Sequence, residues 1–557
     1  MKQGARTFRT PVLLLPAFFI SAVLSSLIVS GKILRLFRGL SESSFWQDEM
    51  FTMELARQAS LGNVIVGAAA DTHPITYTVL LHWWVHAFGS DEVTARLLSA
   101  ILATITVLIV VFLVRPDTSW LARSVSAVSV VTSFAWLEHA GEARSYALAT
   151  MAVTLTVACA VRLAAASPDR TAKLQMVLLT AGWSASAIHL GAFYAVAWTY
   201  VALAVSRPAQ WRVAVVGLIG ALVVVAIYGL TLSVFHDFSR SNLLFEDDVS
   251  GVLRSAWIGI RASARIGVTL LVIASAAVGL LSILRGRRVG IPLSPETAPP
   301  RMDLLLVIGP LAVAVGGGIA SLLLIPSFSY RNVQVAAPLF WIGGAGLMTL
   351  AGRRFPLPFA VSAVLVLAQT AWATLPTAFS RPLPEREDFR LLGRTVSAQT
   401  GCRGASIPAL RRLADNPGIE TLEAKQKDIA PMLNKRFSFY DRPPGHRYFM
   451  WALPGGRYDR PFAPEALLRS RLSGQSPCPI LAVVSDIGAL TTENVEVAMR
   501  DAALDLGFTP SSVEVRWFPH YAGGLPGPAM KKVGLVLATP IGAARTRAPG
   551  QAAASSP

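Results

Sequence analysis

Eleven runs of about 15 to 22 residues, nearly free of Asp, Glu, Lys and Arg, recur through the first two thirds of the chain. A helix of about 20 apolar residues crosses a hydrocarbon core about 30 Å thick. Inside lipid the backbone must satisfy its own N–H and C=O groups, so separate runs of this length fold as helices. They fall at residues 11–30, 94–114, 120–137, 146–163, 174–188, 190–205, 213–234, 266–284, 304–325, 333–350 and 357–375. Only 15% of residues are charged, against about 25% in soluble globular domains, which excludes disorder and an ordinary cytosolic enzyme. The expected fold is a polytopic α-helical membrane protein with about eleven transmembrane helices.

The distribution of charge orients this array. The chain carries 50 Lys and Arg against 33 Asp and Glu, but most basic residues of the apolar part sit in short loops, where they retain a loop in the cytoplasm. With the N-terminus inside, Arg115, Arg170, Lys173, Arg207, Arg212, Arg285, Arg287, Arg288, Arg301, Arg353 and Arg354 all face the cytoplasm. Orientation therefore accounts for the basic excess, and nucleic acid is not an expected partner. An odd number of crossings sends the loop 31–93 and everything after residue 376 outside. Lys32, Arg35 and Arg38 depart from the rule, and merging the short fifth and sixth runs would invert all that follows. The first run follows Lys2, Arg6 and Arg9 but lacks an A-x-A cleavage site, so it reads as an anchor.

The outer tail has ordinary mixed composition and is long enough for its own core. Residues 478–485 and 512–518 read as strands, 492–506 as an amphipathic helix and 533–538 as a further strand, giving an extracytoplasmic α/β domain over 377–541. Residues 542–557, rich in Ala, Pro and Ser, read as a disordered tail. Cys402 and Cys478 would share an oxidising compartment, which leaves both a disulfide and two free thiols open. Cys159 lies within an apolar run, and no cysteine has zinc-site spacing.

No run has an Asp, Glu, Lys or Arg near its middle. Ion-coupled transporters place ionisable groups deep in the bilayer, so the pattern argues against one. The sharpest polar cluster is in the first outer loop, Phe45-Trp46-Gln47-Asp48-Glu49, followed by Asp71-Thr72-His73-Pro74. One carboxylate of the Asp-Glu pair can serve as base while its neighbour holds a cation, or both can simply favour a helix start. The stretch His82, Trp83, Trp84 and His86 suits an interfacial aromatic belt or an acceptor groove. Neither a P-loop nor a strand-linked GxGxxG is present, which disfavours a nucleotide donor.

FWQDEMFT, with DTHPITYTVLLHWWVHAFGSDEVTARLLSA leading into the second run, resembles the first outer loop of the type C glycosyltransferases. Within that superfamily it is similar to the protein O-mannosyltransferase and lipid A aminoarabinose transferase group. GEARSYALATMAV resembles that group's Arg-x-Tyr segment, SFSYRNVQVAAPLF its late Arg-Tyr segment, and EREDFRLLGRTV the opening of its outer C-terminal region. The likeness is good over residues 41–165 and looser over 326–396. The chain departs from the pattern at Ser145, at Ile75 after Pro74, and at Asn332 after Arg331.

The resemblance implies an inverting enzyme of the bacterial inner membrane. It would move a sugar from a polyprenyl-phosphate carrier to an extracytoplasmic glycan, lipid or protein, with membrane lipids around it. Asp48 then takes the place of the catalytic carboxylate and Glu49 that of its acidic neighbour. Asp71, His73, Arg144, Tyr146 and Arg331 fall on substrate or lipid-phosphate positions. A metal remains open, with Glu49, Asp71 and His73 as its candidate ligands. From residue type alone Arg144 is equally an interfacial arginine, Arg331 a helix-end anchor and His73 a loop hydrogen-bonding residue. The alternative function is a lipid or glycan exporter, or a membrane protein that binds glycan without transferring it.

Overall fold

The structure is a computed structural model. It describes residues 14–41, 44–69, 71, 73–166, 171–235, 248–289, 300–323, 327–379, 389–399, 402, 406–412, 439–440, 447–453, 478–485, 496–497, 500, 509–520 and 531–537. The chain divides into two compact units, Met1–Leu40 with Thr52–Arg381, and Ser41–Phe51 with Pro382–Pro557.

The first unit is helical, and the described part of every apolar run falls on or at the end of a helix or a helix pair. Among the described residues seven helices are long and apolar enough to cross a membrane, or eight if the bent pair Pro300–Val307 and Gly309–Leu323 is one crossing. Several of the eleven expected crossings are short or broken. Thr171–Ser186 has 16 residues and Leu190–Ser206 has 17, a rise of about 24 to 26 Å. The run 120–137 divides at Ser133, whose side chain accepts from Trp136 N and so starts the helix Phe134–His139. Pro310 follows the break that bends the ninth run by 50°.

Burial sorts these helices. In Tyr146–Ala165 and Tyr330–Arg354 the apolar stretch is 83% and 89% buried, whereas in Pro208–Val234 it is 17% buried, with side chains such as Leu230 and Val234 exposed along its length. An apolar helix this exposed requires lipid rather than water around it. Two close approaches fix the turn Tyr330–Gln334 from both sides. A Cβ on Gly191 would lie 2.6 Å from Asn332 O, and one on Gly259 would lie 2.7 Å from Tyr330 O. Only glycine allows the helices Leu190–Ser206 and Val249–Arg261 to close on that turn.

The second unit holds a mixed sheet of β1 (Ser406–Arg412), β2 (Arg447–Leu453), β3 (Ile480–Ser485), β4 (Glu514–His520) and β5 (Lys531–Leu537). Their order is β2-β1-β3-β5-β4, with β1 parallel to β2 and β3, and β5 antiparallel to β3 and β4. The strands expected near 478–485, 512–518 and 533–538 are present as β3, β4 and β5. β1 and β2 were not anticipated. Of the helix expected at 492–506, the described Glu496, Val497 and Arg500 are helical, and the tail 542–557 lies outside the described residues. Cys402 and Cys478 form a disulfide, with Cα atoms 4.6 Å apart. The segment before the first acidic pair is tied into this unit. Ser44 Oγ accepts from Phe389 N, Phe45 N donates to Tyr440 Oη at 2.7 Å, and Phe45 meets Phe439 edge to face.

Candidate functional site

Between the helices Phe134–His139 and Tyr146–Ala165 the chain makes a tight connection in which Arg144 N donates to Glu142 O at 2.8 Å. This compact turn carries His139, Glu142, Arg144 and Tyr146. The helix start at Tyr330–Gln334, fixed by Gly191 and Gly259, brings Tyr330, Arg331 and Gln334 against it. The loop before the helix Thr76–Phe88 adds Asp71 and His73, and the junction before Leu190–Ser206 adds His189.

Tyr146 is the centre of the assembly. His139 stacks on its ring with centroids 4.2 Å apart and 22° between planes. The guanidinium carbons of Arg144 and Arg331 lie 5.8 and 5.7 Å from the same ring, within the range of a cation–π attraction. Arg144 is buried and donates through Nη1 to Thr52 Oγ1 and through Nη2 to His73 Nε2, both at 3.3 Å. A guanidinium has no acceptor, so His73 Nε2 accepts and its proton sits on Nδ1, 3.6 Å from Asp71 Oδ2. Asp71 thus orients His73, which orients Arg144.

A second chain of contacts holds Arg331. Glu138 Oε1 lies 3.9 Å from Arg331 Nε and accepts from Tyr330 Oη at 3.1 Å, while Glu138 Oε2 accepts from Gln334 Nε2 at 2.8 Å. Gln334 Oε1 faces His139 Nε2 at 2.8 Å, and His139 Nδ1 faces Glu142 Oε2 at 3.1 Å. Glu138, His139, Glu142 and Gln334 are all buried. A buried carboxylate is costly unless paired, and this network pairs both. Its outcome is a fixed aromatic face with two cationic forks beside it, suited to the bidentate recognition of a phosphate.

His189 completes the surround, with ring centroids 5.0 Å from Tyr146 and 5.7 Å from His73. Burial first, and then its cationic neighbours, among them Arg144 and Arg331, hold its pKa well below the usual histidine value. Its Nδ1 accepts from Gly191 N at 3.0 Å, as a neutral ring can.

Asp71, His73, Arg144, Tyr146 and Arg331 are therefore brought together in the first unit. Asp48 and Glu49 lie in the segment Ser41–Phe51 of the second unit, in the first turn of the helix Gln47–Ala56. Their surroundings differ there. Glu49 is fully buried and its Oε2 accepts from Trp46 N at 3.2 Å, the back-reaching half of a capping box. Asp48 is half-buried. Sequence reasoning missed Glu138, His139, Glu142, His189, Tyr330 and Gln334, although the density of ionisable residues in LEHAGEARSY, between two apolar runs, was a usable signal. Among the described residues Glu138, His139 and Glu142 are also the group whose ligand atoms, within 4.8 Å of one another, could hold a metal ion. Of the expected metal ligands, Asp71 and His73 are paired.

No family model and no curated protein matches the sequence. Among solved structures the chain is similar to ArnT from Cupriavidus metallidurans bound to undecaprenyl phosphate. That match has a TM-score of 0.47 and 13% identity, covering 92% of this chain and 97% of that one. It is also similar to an Archaeoglobus fulgidus oligosaccharyltransferase in complex with Zn and sulfate, with a TM-score of 0.39, 12% identity, and coverage of 68% and 55%. The A. fulgidus oligosaccharyltransferase AglB, in complex with an inhibitory peptide and a dolichol-phosphate, gives 0.39, 11% identity, and coverage of 80% and 61%.

Proposed function

We propose that the chain is an inverting glycosyltransferase of a bacterial plasma membrane, using a polyprenyl-phosphate-linked sugar and an acceptor on the extracytoplasmic side. The loop 31–93 and the region after residue 376 lie outside in this reading, with eleven crossings in all, ten of them between these two segments, and a cytoplasmic N-terminus. The observation that carries it is the convergence of Arg144 and Arg331 on the buried Tyr146 ring, their guanidinium carbons 5.8 and 5.7 Å from its centroid. Two planar guanidinium groups held by other side chains suit a leaving phosphate better than a neutral glycan.

In the reaction, an acceptor hydroxyl oxygen attacks the anomeric carbon as the bond from that carbon to the phosphate oxygen breaks. The electron pair stays on the phosphate, whose growing charge Arg144 and Arg331 stabilise. The hydroxyl proton passes to the Asp48 carboxylate, which acts as general base. Glu49 supports that carboxylate from the same helical turn by capping Trp46 N–H. His73 and Asp71 hold the fork of Arg144.

The test is turnover of a radiolabelled polyprenyl-phosphate sugar by the purified protein in lipid nanodiscs. Release of free polyprenyl phosphate, with label moved to an acceptor, supports the reading. Saturable binding that leaves the donor intact overturns it in favour of an exporter or a glycan-binding protein.

A further inference from the structure

Lys32, Arg35 and Arg38, just past the first apolar run, depart from the charge pattern that orients the chain. Lys32 is the deepest of them. It follows Ser21, Ser25 and Ile28 along the buried stripe of the helix Leu14–Gly39 and is itself only 6% exposed. Among the described residues no acid and no hydrogen-bond acceptor meets its ammonium, and the charges that act on it, those of Arg35 and Arg265, are both positive. Arg265 is half-buried, and its guanidinium likewise has no partner among the described residues.

Packing brings the two cations to one place. Lys32, Leu36 and Leu40 recur at every fourth position and share a helix face. A Cβ on Gly141 would lie 3.4 Å from Leu36 Cδ1 and 3.9 Å from Leu40 Cδ2, so this face abuts the connection that follows the helix Phe134–His139. At the start of that same helix, Ala135 N donates to Ala262 O at 3.1 Å, three residues before Arg265. Lys32 and Arg265 therefore flank one short helix. A third element gives their depth. A Cβ on Gly267 would lie 3.2 Å from Gln369 Oε1, and Trp372, on the same helix as Gln369, is 86% exposed. Exposed Trp on a spanning helix marks the level of the lipid headgroups.

A buried cation is costly unless paired, and a second cation nearby raises the cost. An anion relieves both. We infer that Lys32 and Arg265 form a binding site for the phosphate of a bilayer phospholipid, at the end of the helix Leu14–Gly39 and the start of the helix Ile266–Val289. An ammonium and a guanidinium both donate charge-assisted hydrogen bonds to phosphate oxygens. The 24-residue helix that begins directly after Arg265 adds its positive end. Ile266 and Leu270 on that helix, and Leu34 and Phe37 on the first, are exposed apolar side chains against which acyl chains lie, which is why the phosphate belongs to a lipid. The bound headgroup holds the first helix against the connection that carries Glu142 and Arg144. This site uses neither Arg144 nor Arg331 and stands whether or not the chain transfers a sugar.

The experiment uses full-length protein, delipidated in detergent, and native mass spectrometry during separate titrations with phosphatidylglycerol, with diacylglycerol of the same chains, and with inorganic phosphate. Lys32→Met keeps an unbranched apolar stem without the charge, and Arg265→Gln removes the guanidinium at a half-buried position. Wild-type protein is expected to retain phosphatidylglycerol in preference to diacylglycerol. Each single variant should bind it about 5-fold more weakly, and the double variant about 30-fold. Thermal unfolding supplies a readout that a merely structural lysine would not give. Delipidated Lys32→Met should unfold no earlier than wild type, because an unpaired buried charge has gone, and phosphatidylglycerol should raise the Tm of wild type but not of the double variant. Equal retention of diacylglycerol, or undiminished phosphatidylglycerol binding in the double variant, overturns the proposal. Uptake of inorganic phosphate without a lipid adduct assigns the two cations to a free phosphate and overturns the lipid assignment. Should Lys32→Met not fold, Arg265→Gln alone decides, and unchanged lipid binding in it is the refuting result.

Discussion

Replacing Arg144 with lysine separates a phosphate ligand from a structural brace. Arg144 reaches Thr52 Oγ1 and His73 Nε2 at 3.3 Å each and lies 5.8 Å from the Tyr146 ring. Lysine keeps the charge but offers one ammonium in place of a planar fork, so it cannot hold both partners and a phosphate together. Two long hydrogen bonds to neutral groups contribute about 0.5–1 kcal/mol each. The loss of folding stability is therefore roughly 1–2 kcal/mol. A preorganised donor aimed at developing charge is worth more, about 10²–10³ in kcat, or on the order of 3–4 kcal/mol at 1.36 kcal/mol per tenfold. Initial rates of donor turnover over a range of donor concentrations, paired with thermal unfolding in the same detergent, measure both quantities. Arg144→Lys is expected to lose at least about 100-fold in kcat/KM while unfolding only slightly earlier. A folded Arg144→Lys protein that unfolds earlier but keeps wild-type kcat/KM would refute the phosphate role and leave Arg144 as the brace of Thr52 and His73.

Asp48→Asn keeps size and hydrogen bonding but removes the base, and transfer should fall by about 10²- to 10⁴-fold with donor affinity little changed. Glu49→Gln retains the capping of Trp46, because Gln serves at that position too, so its activity should stay within a few-fold; undiminished transfer in folded Asp48→Asn would remove the base from this residue. The Cys402–Cys478 disulfide closes a separation of 76 residues, and in the chain-entropy model its loss costs about 4 kcal/mol. Reduction should make the C-terminal region protease-sensitive, and alkylation of either cysteine before reduction would count against the bond. For topology, Ala59 and Ser511 are exposed positions in the segment 31–93 and the tail, and Ala172 is an exposed position in the first turn of the helix Thr171–Ser186, at an end expected inside. Single cysteines at the first two should react with a membrane-impermeant reagent in intact spheroplasts and one at Ala172 only after lysis; the reverse pattern would invert the orientation.

The helices were legible because lipid leaves a long apolar run only one backbone conformation, whereas their interruptions were not. Ser133 looks like one more small residue in an apolar run until its side chain is seen to receive Trp136 N and start a new helix. β1 and β2 escaped notice for a different reason. Their sequences, SIPALRR and RYFMWAL, mix arginine with apolar residues without clean alternation, and their parallel pairing joins Ser406 to Arg447 across a long intervening segment.

Charges at the ends of the runs are where sequence and structure part most clearly. Each can be read alone as an anchor at the membrane surface, and several turn out to be buried and paired inside the protein. Arg115 meets Asp303 at 3.1 Å with both side chains buried, and Arg96 is buried with its guanidinium on Leu40 O. Arg123 closes on the carbonyls of Val111, Arg115, Pro116 and Thr118, at the end of the preceding helix. The same holds for Glu138, whose contact with Gln334 spans 196 positions. Taken singly it is an acid beside an apolar run. With Gln334, Tyr330 and Arg331 it is the reason that a guanidinium can be held beside Tyr146 without fixing its own position by solvent. Burial of an acid makes its partners obligatory, so the polar residues at the ends of apolar runs carry information about one another that no local pattern contains. That is why motif likeness could point to Arg144, Tyr146 and Arg331, while the buried groups packed around them are visible only in the fold.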